Sequence, residues 1–141
     1  MAYSCRKIIT AMYRTVLFRA KRVKADDPQE RFIEGSLVSY IDMHGKRVYS
    51  IVSDAGMRND IQADTLGEFT GLYDKNGTPI YEGDIVKCNE FVYKVAYDDK
   101  RFASFVLIRK QDMFRHYFGE AMDASACEVI GNIYDNPDWL K

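Results

Sequence analysis

Residues 67–86, GEFTGLYDKNGTPIYEGDIV, decide the fold. Asp74-Lys75-Asn76-Gly77 is a hairpin signal, because Asn-Gly tolerates the positive φ angles that a type I′ turn demands. Glu82-Gly83-Asp84 is a second reversal, and Ile85-Val86-Lys87-Cys88 restarts as a β-branched strand. Asn76, Gly77, Gly83 and Asp84 are therefore read as structural turn residues. Turns this closely spaced around short strands specify a small β-barrel and not a catalytic centre.

Around this stretch, 141 residues make one domain, or one domain with a packed subdomain. Such a chain buries roughly two-thirds of its unfolded surface, so no metal or disulfide is required to hold it. A rich supply of Tyr and Phe favours strands. The formal net charge of -1 argues against a polyanion-coating role for the whole molecule. Charge is nonetheless uneven: Arg6, Lys7, Arg14, Arg19, Lys21, Arg22 and Lys24 all precede the first acid, Asp26. Cys5, Cys88 and Cys127 show no CxxC spacing, and with only His44 and His116 no zinc pattern assembles. The expectation is reduced thiols in a cytoplasmic protein, Cys88 and Cys127 being small buried hydrophobes in strands. No apolar run reaches membrane-spanning length. Residues 1–11 read as an N-terminal extension, with Met12 an alternative start just before the strand pattern.

Residues 15–22 read as a strand. Residues 31–41 form a second strand, in which Gly35 marks a bulge or close backbone approach. After the turn Asp42-Met43-His44-Gly45, residues 46–52 return as its antiparallel partner. In the second half, Asn89-Glu90 is a tight turn, and residues 91–97 alternate with Phe91, Tyr93, Val95 and Tyr97 on one face. With Asp99 and Lys100 as a two-residue loop, Tyr97 faces Phe102 and Val95 faces Ser104. Phe105 and Leu107 then fall on the opposite face, where a sheet buried on one side only would not place them. They are the candidate partner surface, to be covered by the N-terminal half or by another subunit, and self-association stays open. Spacing of Phe114, Tyr117, Phe118 and Ala121, with Asp112 as cap, predicts a short helix over 112–122. Residues 127–134 form the last strand, and Trp139 with Leu140 supplies a hydrophobic latch.

Four runs, in order, resemble the YopX family: Leu17-Phe18-Arg19-Ala20-Lys21-Arg22, Glu34-Gly35-Ser36-Leu37, residues 66–87, and the closing Glu128-Val129-Ile130-Gly131-Asn132-Ile133-Tyr134-Asp135-Asn136-Pro137. The resemblance covers the chain from about Met12 onward. It implies a small, mostly β protein encoded by bacteriophages and prophages, located in the bacterial host cytoplasm. Its expected architecture is a small N-terminal β-sheet subdomain (12–66) packed on a C-terminal SH3-like β-barrel (67–141). It implies no enzyme activity and no cofactor. Phe32 stands where the family commonly has Trp, a conservative aromatic exchange.

Catalytic signals are weak. Glu82 and Asp84 flank Gly83, but on an exposed turn both would be solvated and ordinary, whereas acid–base work needs carboxylates held across a substrate. The segment 74–77 lacks the further glycines and the helix of a phosphate loop. Neither histidine has a triad arrangement nearby, and Ser36, Ser39 and Ser104 lie in strands without a nucleophile elbow. The basic, aromatic-interleaved start is the best functional signal: Arg14, Arg19, Lys21 and Arg22 could place cations beside stacking rings, as single-strand binders do. Set against it, Phe18 would point inward with Val16 and Ala20, leaving Arg19 and Lys21 as a solvated face. Two functions follow: a non-catalytic module that binds a host or phage protein through the barrel surface, or an accessory protein that binds nucleic acid weakly through the basic N-terminal residues.

Overall fold

A computed structural model describes residues 14–23, 32–119 and 122–140, with Leu140 described by its backbone alone. The extension 1–11 and the alternative start at Met12 lie outside the described residues. The fold is mostly β, as expected, with helix confined to three 3-10 turns among the described residues. Strands β1 (Phe18–Ala20), β2 (Ile33–Ile41), β3 (Arg47–Val52), β4 (Arg58–Asp60), β5 (Gly67–Tyr73) and β6 (Pro79–Tyr81) form a six-stranded sheet in the order β4-β3-β2-β1-β5-β6. Strands β7 (Asp84–Cys88), β8 (Phe91–Asp98), β9 (Ser104–Arg109), β10 (Arg115–Tyr117) and β11 (Cys127–Asn132) form a curled, five-stranded half-barrel in the order β10-β9-β8-β7-β11. By hydrogen bonding, β5 and β6 belong to the first sheet, so the sheets divide after Tyr81 and not at Leu66.

In the first sheet, β2 and β3 pair around a turn held by Asp42, whose carboxylate accepts the His44 and Lys46 N–H groups, both at 2.9 Å. Gly35 is the close backbone approach its position predicted: a Cβ there would lie 2.0 Å from the Val52 carbonyl oxygen. The core of this sheet is Ala20, Ile51 and Ile61, with Phe18, Leu37, Tyr49 and Leu66 packed against them.

The hairpin 67–86 links the two sheets. A register shift between Phe69 and Tyr73 bends β5, and the turn beyond it lands on β11. The Gly77 N–H closes a four-residue turn on the Asp74 carbonyl at 3.0 Å, and Gly77 alone of the turn has positive φ, +78°. The turn is therefore not type I′, which needs positive φ at Asn76 as well. The Asp74 carboxylate explains the choice: it accepts the Asn76 and Thr78 N–H groups at 2.8 Å and the Val129 N–H of β11 at 2.9 Å. Burial works against the charged Asp74, yet the hydrogen bonds from Val129, Thr78 and Asn76 prevail and hold its pKa below the usual carboxylate value. The Lys75 N–H adds a bond to the Cys127 carbonyl.

The second reversal is as read at Gly83, where φ is +92° and a Cβ would meet the Tyr134 ring at 3.0 Å. Its N–H donates to Val95 and its carbonyl accepts from Ile133, so the turn is stitched to β8 and to the segment after β11. Asp84 does bond local backbone, accepting the Tyr81 N–H at 2.8 Å. It is not solvated, however, with 1% exposure.

The half-barrel corrects three expectations. The β8–β9 loop is longer than two residues: Asp98 pairs with Ser104, Tyr97 with Phe105 and Val95 with Leu107. Asp98 sets the loop by accepting the Lys100 and Arg101 N–H groups, with positive φ at Ala103. That three-residue shift turns Leu107 into the core beside Tyr93, Val95, Val86 and Ile80. The opposite face is also covered within the chain, for Val106 and Ile108 are buried as well. Where a helix is predicted over 112–122, the described residues form a turn and strand β10 instead. Positive φ at Met113 forbids a helix there, Asp112 caps the turn by accepting the Phe114 N–H, and the free edge of β9 takes up residues 115–117. Finally, Cys88 and Cys127 are not reduced thiols. They face each other directly across β7 and β11, Cα atoms 4.3 Å apart, and form a disulfide buried at 0% exposure. A separation of 39 residues hid the pair from any spacing rule. Trp139 is buried as a latch should be, whereas the Leu140 side chain lies outside the described residues.

One buried ion pair joins the sheets. Arg19 of β1 donates through Nη2 to Asp84 Oδ1 at 2.6 Å, and its guanidinium stacks on Phe32 and Tyr81, 4.2 and 4.7 Å from the ring centroids. Arg19 Nε has no hydrogen-bond partner among the described residues. Beside it, Lys21 bonds the Asp135 carboxylate after β11. Burial lifts the Asp84 pKa even against the Arg19 charge, the signature of a pair whose desolvation offsets its attraction.

Asp84→Ala is expected to lower stability by about 3–5 kcal/mol in urea unfolding, because it strands a buried guanidinium. The double variant Arg19→Met/Asp84→Leu should recover most of that loss, and equal losses in both proteins would refute the desolvation account. Thiol titration of the unfolded protein without reductant should find one reactive cysteine of three. Reduction should cost about 4 kcal/mol by the loop-entropy relation, and finding three thiols in the oxidised preparation would contradict the disulfide.

Candidate functional site

The inter-sheet seam gathers several perturbed ionisable groups and is the first place to test for chemistry. Burial, with the Glu34 charge, pushes the Tyr81 pKa up to about 12. Burial lifts Glu82 above the usual carboxylate range, partly offset by a hydrogen bond from the Glu68 backbone. Burial also raises Tyr134, helped by the Glu82 charge. Glu82 and Tyr134 line a small hollow of about 180 Å³ with Leu66 and Lys94. A carboxylate pair would need Asp84 facing the same space, but Asp84 is committed to Arg19 and to the Tyr81 N–H. The seam is chemically a clasp.

This placement removes two of the four basic residues singled out in the sequence. Arg19 and Lys21 are buried and paired with carboxylates, so neither meets a phosphate. The strand alternation that put them on a solvated face fails because β1 lies between β2 and β5 and is covered by the half-barrel's turn at Asp84. Arg14 is exposed and 3.7 Å from Glu68. Arg22 lines a groove of about 550 Å³ with Val23, Tyr40, Arg58, Asn59 and Asp60, where Arg58 lies 4.4 Å from the Tyr40 ring centroid. Tyr40 and Arg58 were not legible as a pair, being 18 residues apart and in different strands.

Of the two candidate partner residues, Leu107 is at 0% exposure and Phe105 is half-buried, packed edge-on against Tyr97 at 5.2 Å. On the Arg109 face of β8 and β9, Tyr97 belongs instead to a band of rings with Phe91, His116 and Phe114, whereas Phe102 lies on the opposite face. Phe102 packs on Tyr117 at 5.1 Å, and Phe114 on His116 at 4.7 Å. Arg109 lies between Phe91 and Phe114, 4.7 and 5.4 Å from their centroids, and its fork is gripped by Asp112 at 2.8 and 2.5 Å. Hydrogen bonding to Asp112 holds the Arg109 pKa up and, first among its causes, brings the Asp112 pKa down to about 2. The band thus presents apolar rings and a pre-oriented, charge-compensated arginine. The signal for it was the run Phe114-Arg115-His116-Tyr117-Phe118, misread as a helix face because its aromatics also fit a helical period.

Among the described residues, no helix is long and apolar enough to cross a membrane. No curated protein sequence matches the chain. Among solved structures, the crystal structure of protein EF1440 from Enterococcus faecalis is similar, with 24% sequence identity and a TM-score of 0.50 over 92% of this chain and 100% of that one. At that identity the likeness concerns the fold alone. Residues 17–141 match the family described as YopX protein, which spans both sheets and the seam between them. The chain belongs to the YopX family.

Proposed function

We propose that this is a phage- or prophage-encoded accessory protein that works without catalysis, as an interaction module for a host or phage protein. The observation that carries this reading is the aromatic band of the half-barrel. Phe114 is 54% exposed, Tyr97 40% and Phe91 38%, and Phe91 and Phe114 lie on either side of Arg109. Exposed rings flanking an oriented arginine have the composition of interface hot spots. A half-barrel of five antiparallel strands, with the 3-10 turn Ala124–Ala126 just before the last strand, supports an SH3-like reading of this sheet. The proposed compartment is the bacterial host cytoplasm. There the Cys88–Cys127 disulfide, fully buried, is shielded from soluble reductants once formed.

The test is capture from prophage-carrying cells with the wild-type chain and with Phe91→Ser/Phe114→Ser, each with and without nuclease. The variant, checked for folding by circular dichroism, should retain a tenth or less of the captured partner. Undiminished capture by the variant would move the interface elsewhere. Loss of every partner on nuclease treatment would replace this reading with nucleic-acid binding.

A further inference from the structure

The first sheet carries a second surface that the aromatic band does not use. At its edge, Arg22 and Val23 run antiparallel to Asp60 and Ile61, through the Arg22–Ile61 bridge and the Val23 N–H bond to the Asp60 carbonyl at 3.0 Å. This brings Arg22, from the basic N-terminal run, to the same groove as Arg58 and Tyr40. At about 550 Å³ the groove is within the range of small-molecule sites and large enough for one nucleotide.

Its chemistry is that of a cation beside a stacking ring. Arg58 is exposed, lies over Tyr40, and has no carboxylate partner among the described residues, unlike Arg14, Arg19, Lys21, Lys75 and Arg109. Tyr40 remains 38% exposed. Asp60, the acid in the lining, has its carboxylate engaged by the Ser50 hydroxyl at 2.7 Å. Asn59 adds an amide able to donate and accept at a base edge.

We infer that this groove binds single-stranded nucleic acid, one base stacking on the Tyr40–Arg58 pair and an adjoining phosphate meeting Arg58. Ring stacking and guanidinium contact act together on such ligands, since every base has a π-face and every linkage a phosphate. The site is independent of the aromatic band, so its failure leaves the protein-interaction reading standing, and the converse also holds.

The experiment is fluorescence anisotropy of a labelled ten-nucleotide oligothymidylate with the full chain, against Arg58→Gln and Tyr40→Leu. Both substitutions preserve side-chain bulk at exposed positions, and circular dichroism confirms that the variants fold. Each variant should weaken binding about tenfold, within the range of a single stacking contact. One neutralised phosphate predicts a fall of about two- to threefold in affinity between 50 and 200 mM salt. No binding at 50 mM salt, or binding unaltered in both variants, would overturn the site. Displacement by thymidine monophosphate as effective as by the unlabelled oligonucleotide would overturn the assignment to a strand and assign a free nucleotide in its place.

Discussion

The Arg19–Asp84 ion pair is the constraint on which the arrangement of the two sheets depends. A charge pair with both partners at or below about a tenth exposed carries a desolvation cost close to its attraction. Its contribution is therefore geometric. Arg19 has one acceptor available, and Asp84 spends its second oxygen on the Tyr81 N–H, so β1 can meet the Glu82-Gly83-Asp84 turn in one register only. Phe32 and Tyr81 complete the arrangement by covering the guanidinium with ring faces.

Around that pair, the last strand is held from both sides. Asp74 reaches across to the Val129 N–H, Lys75 bonds the Cys127 carbonyl, and the disulfide joins Cys127 to Cys88 on the neighbouring strand. On its far side, Gly83 accepts from Ile133 and Lys21 pairs with Asp135. The stretch 67–86 is thus less a single hairpin than a strap that fastens β11 to both sheets. Asp74, Lys75 and Gly83 spend their polar groups in that fastening, and Asp84 is committed to Arg19.

What remains for recognition is surface that the fold does not need. The half-barrel offers the rings around Arg109, and the first sheet offers Arg58 with Tyr40. Each combines an aromatic ring with an arginine, yet they differ in charge. Arg109 is neutralised by Asp112, which suits an apolar protein surface, whereas Arg58 has no carboxylate paired to it among the described residues, which suits a phosphate.

The sequence by itself determined the β class, the reversals at Asn76-Gly77 and Gly83, the tight turn at Asn89, the close approach at Gly35 and the family. Those properties are local: they follow from side-chain period, from φ preferences and from short runs of residues. Where two local signals competed, the sequence misled. Residues 112–122 fit a helical period, but 115–117 were taken up by the unpaired edge of β9, and the loop after Asp98 was longer than its charged residues suggested. Only the tertiary structure decided the burial of Arg19 and Lys21, the pairing of Cys88 with Cys127, the inward turn of Leu107 and the meeting of Arg58 with Tyr40. Each of these depends on which strands become neighbours, and contacts between residues far apart in the chain leave no periodic trace in it.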